Sequence, residues 1–194
     1  MKLAIVDVGC GNIGSVSIAF ERLGLEMITT ADPEAIASAD RVVLPGVGAA
    51  GYAMRRIDEL GLREPIKALK QPVLGICLGM QLLFDRSDEE GADCLGIIPG
   101  EVRRLEPTRE RPVPHMGWSK LSLHGDVPGL TDGDYVYFAH SYACDPGPHV
   151  LASADYGREI PAIVARGNFL GAQFHPERSG PAGTRFLEKF VTGL

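Results

Sequence analysis

Short apolar runs alternate with stretches of helical periodicity along the first half of the chain, and this alternation restricts the possible folds more than any other feature. The runs predict strands at residues 3–8, 26–30, 41–44 and 73–76, the third of them stopped by Pro45 and Gly46. The intervening stretches predict helices at residues 12–23, 33–39, 50–60 and 79–86. Helices that connect successive strands in this way usually join parallel strands. We therefore expect an α/β fold with a central, mostly parallel sheet flanked by helices.

The second half of the chain is richer in strands. Apolar segments separated by Gly, Pro, Asp and His clusters predict strands at residues 101–105, 118–121, 135–143, 150–154, 162–165 and 170–174. A closing helix is predicted at residues 182–191, where Phe186, Leu187 and Phe190 share one side. The sequence has no internal repeat and no evident linker, so we expect residues 1–194 to form a single domain with a β-rich second half.

The composition argues against several classes of function. The 19 Lys and Arg against 25 Asp and Glu give a net charge of −6, which disfavours binding to nucleic acid or to an anionic membrane. The longest run without a charged side chain, residues 71–84, is too short to cross a bilayer, and the first residues do not resemble a signal peptide. The four cysteines form no CxxC pair, so we expect a reduced, cytoplasmic protein without a metal site.

A glycine-rich loop leaves one alternative open. Gly9, Gly11 and Gly14 form a GxGxxG pattern between a predicted strand and a predicted helix, and Asp32 follows at roughly the distance of a ribose-binding carboxylate. The pattern is typical of dinucleotide-binding modules. A chain of 194 residues leaves little room for a substrate domain beside such a module, and a tight turn at a functional surface also accounts for the glycines. We therefore favour the turn and keep nucleotide binding as the alternative.

Residues 75–79 read GICLG, which is the nucleophile-elbow pattern with cysteine as the nucleophile. In an elbow, glycines on either side of Cys77 remove Cβ clashes, and the N-terminus of the following helix favours the thiolate. The backbone N–H of Leu78 is then expected to donate to a developing oxyanion. The remaining cysteines have no such setting and are expected to be packing residues: Cys10, Cys94 and Cys144.

His175 and Glu177 are the best candidates to assist such a cysteine. Residues at i and i+2 of an extended segment point to the same side, so Glu177 is expected to fix the tautomer and the orientation of His175. The glycine-rich end of the third predicted strand offers a second oxyanion donor, and we expect it to be the N–H of Gly48. The sequence thus predicts a Cys-His-Glu triad with Cys77 as the nucleophile.

These motifs resemble those of the class I, triad-type glutamine amidotransferases: GICLGMQ at residues 75–81, GAQFHPERS at 171–179 and PGVG at 45–48. Further segments resemble one branch of that family, the glutaminase subunits of imidazole glycerol phosphate synthase: DVGCGNIGSV at 7–16, HMGW at 115–118 and YFAHSY at 137–142. The resemblance covers essentially the whole chain in order.

The resemblance implies that Cys77 attacks the side-chain amide of glutamine, with His175 as the acid and base and Glu177 as its orienting group. It implies no metal and no organic cofactor. The positions that match glutamine-contacting residues of the family are Gln81, His140, Ser141 and Tyr142.

The same resemblance implies a partner, a cyclase subunit with a (β/α)8 barrel. The cyclase uses the ammonia to make imidazole glycerol phosphate and aminoimidazole carboxamide ribonucleotide in histidine biosynthesis. Asn12, Trp118 and Arg178 match positions expected to face that partner. A glutaminase that serves another acceptor, in pyridoxal phosphate or chorismate-derived amine synthesis, is the alternative within the family.

Three residues depart from those usual in the family. Val8 stands in place of a tyrosine, Ser119 in place of an asparagine and Arg178 in place of a lysine. None belongs to the predicted triad. Val8 and Ser119 leave the details of the partner surface open, and Arg178 keeps the charge of lysine with a different geometry.

Overall fold

A computed structural model describes residues 1–193. Its helices are α1 (Ile13–Glu21), α2 (Pro33–Ala37), α3 (Ala50–Glu59), α4 (Arg63–Ala68), α5 (Leu78–Gln81) and α6 (Gly180–Thr192). Its strands are β1 (Leu3–Val6), β2 (Met27–Thr30), β3 (Arg41–Gly46), β4 (Val73–Cys77), β5 (Arg86–Ser87), β6 (Ala92–Asp93), β7 (Glu101–Arg104), β8 (His115–Leu123), β9 (Tyr135–His140), β10 (Tyr142–Cys144), β11 (Val150–Asp155), β12 (Glu159–Arg166) and β13 (Phe169–Ala172). Single turns of 3₁₀ helix occupy Glu89–Gly91 and Pro176–Arg178.

Within residues 1–193, nine strands form the central sheet in the order β2-β1-β3-β4-β13-β12-β11-β8-β9. The strands from β2 to β13 in that order run parallel, and every later pairing is antiparallel. The predicted α/β fold is confirmed, with a mixed sheet. The sheet changes from parallel to antiparallel because the strands of the second half are joined by turns instead of helical crossovers.

Apolar side chains cover both faces of the parallel part. Along β1, Ala4 and Val6 pack into one apolar cluster, whereas Leu3 and Ile5 pack into another. Helices α2, α3 and α4 contribute to the first cluster, and α1 and α6 contribute to the second. The sheet is therefore a central layer between helices, and the carboxyl ends of its parallel strands are open to a site. No helix within residues 1–193 has the length and apolar character needed to cross a membrane.

The third strand is longer than predicted, since it continues through Pro45 and Gly46. The proline is tolerated because β1 pairs with β3 only as far as Val43, which leaves β4 as the one neighbour of Pro45 in the sheet. Gly46 pairs with Cys77 at the end of β4. The PGVG segment is thereby brought next to the predicted nucleophile.

The helix predicted at residues 79–86 is wrong in its second half, because α5 ends at Gln81. The carbonyl groups of Leu82, Leu83 and Phe84 accept hydrogen bonds from backbone N–H groups of residues 95–98. In a continuing α-helix these carbonyl groups would accept the N–H groups four residues later, so the helix does not extend past them. Arg86 instead begins β5.

The strand predicted at residues 135–143 is two strands in two sheets. The chain bends at Ser141, whose carbonyl group accepts the N–H of Leu105, and β10 then pairs with β7. The second sheet has the order β10-β7-β5-β6. Its two-residue strands β5 and β6 are too short for periodicity to predict. Helix α4 was not predicted, because it is short and contains Pro65. The proline lies in its first turn, where a missing N–H is tolerated.

Candidate active site

Cys77 lies at the junction of β4 and α5 with φ 54° and ψ −109°, a backbone conformation that non-glycine residues rarely adopt. Two glycines allow the chain to turn there. A Cβ on Gly75 would lie 2.5 Å from the carbonyl oxygen of Gly79, and a Cβ on Gly79 would collide with the carbonyl oxygen of Leu44. The flanking glycines therefore serve close backbone packing, as the elbow pattern predicts.

His175 and Glu177 form a buried pair. Nδ1 of His175 lies 2.8 Å from Oε1 of Glu177, and the two side chains are 8% and 1% exposed. Burial opposes the charged imidazole, but hydrogen bonds with Cys77 and Glu177 outweigh it and raise the pKa of His175 to about 10. The pair forms although Pro176–Arg178 is a 3₁₀ turn and not the extended segment that the sequence argument assumed.

A cavity of about 230 Å³ opens beside Cys77. Its lining contains these predicted site residues: Gly48, Cys77, Leu78, Gln81, His140, Ser141 and Tyr142. It also contains Val47, Glu89, Pro114, Met116 and Ala139, which the sequence argument did not single out as site residues. Gly48 has φ +100°, so the loop adopts a conformation suited to glycine there. The predicted nucleophile, oxyanion donors and glutamine contacts thus meet in one cavity.

The side chain of Gln81 is held in place. Its Nε2 donates to the carbonyl group of Tyr142 at 2.8 Å and to Oε1 of Gln173 at 3.0 Å. Gln173 is fully buried, and its Nε2 faces Sγ of Cys77 at 3.9 Å. Because Oε1 of Gln173 accepts from Gln81, the orientation of the Gln173 amide is fixed with its donor toward the sulfur.

Two polar residues near the nucleophile were not predicted from the sequence. Gln173 is a polar residue in the apolar stretch that leads to His175, and this placement could have marked it as a site residue. Glu89 lies in the 3₁₀ turn after β5, where no periodicity exists. Its carboxylate accepts the N–H of Ala50 at 2.9 Å, and burial is the main cause of its raised pKa. Only the fold brings Glu89 to the cavity.

The residues predicted to face a partner take different positions. Trp118 is 54% exposed, and its ring packs edge to face on Tyr137 with 6.0 Å between centroids. The guanidinium of Arg178 lies 4.6 Å from the centre of the same tyrosine ring. Asn12 is exposed and caps α1 through the N–H of Ser15. Val8, in contrast, is buried in the core.

The glycine loop does not have the packing that a dinucleotide site requires. In such a site the third glycine allows close packing of helix and strand. A Cβ on Gly14 would meet no atom within 4 Å. Asp32, the candidate ribose ligand, instead caps α2 by accepting the N–H of Glu34.

The other cysteines are poor nucleophiles. Burial raises the pKa of Cys94 to about 11, raises that of Cys144 further, and is the main cause of the raised pKa of Cys10. All four cysteines are free thiols. Among residues 1–193, no group of three or more His, Cys, Asp and Glu side chains is arranged to hold a metal ion.

The geometry agrees with comparisons to known proteins. Residues 4–194 match the model of the family Glutamine amidotransferase class-I. Solved structures share the fold at low identity: a glutamine amidotransferase with TM-score 0.76 and 20% identity over 97% of each chain, and PurLQS from Thermotoga maritima with TM-score 0.70 and 17% identity over 98% of this chain and 97% of that one.

Curated relatives are more similar in sequence. The imidazole glycerol phosphate synthase subunit HisH of Pasteurella multocida is 47% identical over 100% of this chain and 98% of its own length. The subunit of the same name from Idiomarina loihiensis is 47% identical over 98% of this chain and 97% of its own length. The chain belongs to the class-I glutamine amidotransferase family.

Proposed function

We propose that the chain hydrolyses glutamine to glutamate and ammonia, and that the ammonia serves the cyclase subunit of imidazole glycerol phosphate synthase in histidine biosynthesis. The main support for the proposal is the setting of Cys77. It lies at a strained turn, lines a cavity and raises the pKa of the nearby His175. The relatives named HisH favour this acceptor over pyridoxal phosphate or chorismate-derived amine synthesis.

The cavity offers complementary groups for the amino-acid end of glutamine. The carboxylate of Glu89 is fixed by the N–H of Ala50, and it suits the substrate ammonium group. Gln81, Ser141 and Tyr142 line the same cavity. We assign the amino-acid end of the substrate to these residues, which leaves its side-chain amide at Cys77.

The chemistry then follows from the positions of the groups. Sγ of Cys77 attacks the amide carbon, and the N–H groups of Leu78 and Gly48 stabilise the oxyanion. The imidazolium of His175 gives a proton to the leaving ammonia, which leaves a γ-glutamyl thioester. Water, deprotonated by His175, hydrolyses the thioester and releases glutamate and the thiolate. Glu177 orients His175 throughout.

The proposal includes the setting of the reaction. We infer that residues 1–194 fold as one domain, since one nine-stranded sheet contains strands from both halves of the chain, including β1 and β13. We also infer a cytoplasmic protein whose partner is a (β/α)8 barrel. Trp118, Arg178 and Asn12 are exposed and suited to contact that partner.

The test compares the wild type with Cys77→Ala, each assembled with the cyclase subunit. The wild type should release glutamate from glutamine and should support the cyclase reaction. Cys77→Ala should release no glutamate, yet its complex should still make product when ammonium salt replaces glutamine. Cys94→Ala is the matched control, since Cys94 is buried outside the cavity.

Glutamate release by Cys77→Ala would overturn the assignment of the nucleophile. A wild-type chain that releases glutamate but supports only a different acceptor enzyme would overturn the acceptor while leaving the hydrolysis in place.

A further inference from the structure

His115 and Ser119 belong to no step of the proposed reaction, yet they form one end of a buried chain of hydrogen bonds. Oγ of Ser119 lies 2.9 Å from Nε2 of His115, and Nδ1 of His115 lies 3.0 Å from Nε2 of His140. Nδ1 of His140 lies 2.7 Å from the carbonyl oxygen of Tyr142. His115 and His140 are 2% and 5% exposed.

The direction of every bond in the chain is determined. The carbonyl oxygen of Tyr142 is an acceptor only, so Nδ1 of His140 must donate. Burial lowers the pKa of His140 to about 3 and that of His115 to about 4, so both rings are neutral. Nε2 of His140 is therefore an acceptor, and Nδ1 of His115 donates to it. Nε2 of His115 then accepts from the hydroxyl of Ser119.

The chain ends at the cavity. The carbonyl group of Tyr142 that accepts from His140 also accepts from Nε2 of Gln81, and Gln81 in turn donates to Gln173 beside the sulfur of Cys77. One continuous path of hydrogen bonds thus joins Ser119, next to the exposed Trp118, to the wall of the substrate cavity.

Aromatic rings hold the middle of the chain in place. The ring of His115 is stacked between Tyr156, at 3.9 Å between centroids, and Phe138, at 4.7 Å. This packing fixes the plane of the imidazole but not which of its nitrogens carries the proton. The carbonyl group of Tyr142 sets that choice through His140, and the hydroxyl of Ser119 then pairs the acceptor Nε2 of His115.

We propose that Ser119 and His115 are positioning residues for the glutamine cavity, which act by holding the ring of His140 in place and so fix the orientation of the Tyr142 carbonyl group and of the Gln81 amide. The inference rests on the proposed function. It assigns the two residues no contact with the substrate. Loss of the Ser119 donor leaves Nε2 of the buried His115 unpaired, so the ring of His115 is held less firmly and its hydrogen bond to His140 weakens.

The test uses Ser119→Thr and Ser119→Val in the assembled complex, because the two side chains have the same shape and differ in the hydroxyl. Ser119→Thr should keep the wild-type KM for glutamine. Ser119→Val should raise that KM by about ten-fold with kcat little changed, because displaced Tyr142 and Gln81 groups bind the amino-acid end of glutamine less well before and during the reaction. A general loss of stability would affect both variants and would lower the active fraction instead of KM.

A second readout does not depend on activity. In the complex with ¹⁵N-histidine only in this chain, the ring nitrogens of His115 and His140 should both show a protonated Nδ1 and an unprotonated Nε2. Ser119→Val should shift the Nε2 resonance of His115, which loses its hydrogen-bond donor, and Ser119→Thr should keep the wild-type shift. A protonated Nε2 on either histidine in the wild type, or equal KM values for the Thr and Val variants of an active enzyme, overturns the inference. Absence of glutamine hydrolysis in the wild type overturns the proposed function, and the ring-nitrogen pattern still decides whether the chain of bonds exists.

Discussion

The backbone N–H of His175 donates to the carbonyl oxygen of Tyr137 over 2.9 Å, which anchors the proposed proton carrier to strand β9. The ring of Tyr137 contacts two residues that we expect to face the partner, Arg178 on one side and Trp118 on another. Oγ of Ser179 accepts the Tyr137 N–H and donates to the His175 carbonyl group. The predicted docking surface and the predicted triad are therefore one connected structure.

We expect Trp118→Ala to weaken binding of the cyclase subunit, because Trp118 is exposed on the predicted docking surface. An exposed tryptophan that anchors an interface typically contributes about 2 kcal/mol or more, so the dissociation constant should rise by about 30-fold. Titration calorimetry with the purified partner measures it. Lys67→Ala is the control. Lys67 lies on α4, which precedes the amino end of β4, whereas Cys77 lies at the carboxyl end of that strand. An unchanged dissociation constant for Trp118→Ala would remove Trp118 from the interface.

The His175–Glu177 pair predicts a large loss of activity on Glu177→Gln. The substitution removes the negative charge that supports the imidazolium, and it places an amide nitrogen where Oε2 is buried and, within the described residues, has no hydrogen-bond partner. We expect kcat for glutamine hydrolysis to fall by about 10²- to 10⁴-fold with a lower pKa for His175. Steady-state kinetics and an NMR titration of the His175 ring test the two parts separately, and wild-type values of both would contradict the orienting role.

The raised pKa of His175 also predicts a loss of stability in alkali. A histidine has a pKa near 6.5 in an unfolded chain, and the folded value here is about 10. Between these values the folded state binds more protons than the unfolded state, so the free energy of unfolding should fall as the pH rises from 6.5 toward 10. Urea unfolding at several pH values measures this slope. Cys77→Ala should flatten it, since Cys77 helps to raise the pKa.

The buried histidines predict the opposite slope in acid. His115 and His140 have folded pKa values of about 4 and about 3, below that of an unfolded histidine. As the pH falls below about 6.5, these histidines take up protons in the unfolded state before they do so in the folded state. The free energy of unfolding therefore decreases, by about 2 kcal/mol for each histidine at pH 5. His115→Phe keeps a stacked ring and removes one titrating group. Its unfolding free energy should therefore fall less steeply between pH 6.5 and 4 than that of the wild type, and an equal slope would contradict the assignment.

The sequence predicted those parts of the molecule in which local pattern decides the structure. Cys77, His175 and Glu177 lie in short motifs whose spacing already implies a turn or a contact, and the apolar runs of the parallel strands are distinctive. The mixed sheet was harder to predict, because strand direction depends on partners that are distant in the chain. Ser141 illustrates the difficulty: one bend there moves the end of a predicted strand into another sheet.

The cavity likewise combines features set by local sequence with features set by contacts between distant parts of the chain. Gln81 and Tyr142 were predicted from resemblance, but the bond between them joins residues far apart in sequence. Glu89 reaches the site only through the short strands β5 and β6, which have no periodicity of their own. Ser119 was expected to affect only a partner surface, whereas the structure gives its hydroxyl a hydrogen bond with His115. Contacts of this kind follow from tertiary packing.

The glycines of the elbow predict different outcomes from those of the loop after β1. Gly79→Ala should prevent folding or cost at least about 4 kcal/mol, because the new methyl group collides with the backbone of Leu44. Gly14→Ala should stabilise the chain by about 0.5–1 kcal/mol, since Gly14 lies in α1 with open space beside it. Thermal unfolding measures both. A strongly destabilised Gly14→Ala protein would revive the close packing that a dinucleotide site requires.

Gly48 allows a test of the second oxyanion donor that separates catalysis from stability. Gly48 and Gly24 both have positive φ, at +100° and +75°, and a Cβ at either position would meet no atom within 4 Å. Alanine should therefore cost each site a similar conformational strain of about 1–2 kcal/mol. Gly24 follows α1 and lies outside the cavity lining, so Gly24→Ala should leave glutamine hydrolysis unchanged. Gly48→Ala should lower kcat by about 10²-fold or more, because the loop can no longer hold its N–H toward the oxyanion. Equal stability losses with unequal kcat values would locate the donor in the PGVG loop, whereas equal kcat values would leave the N–H of Leu78 as the sole predicted donor.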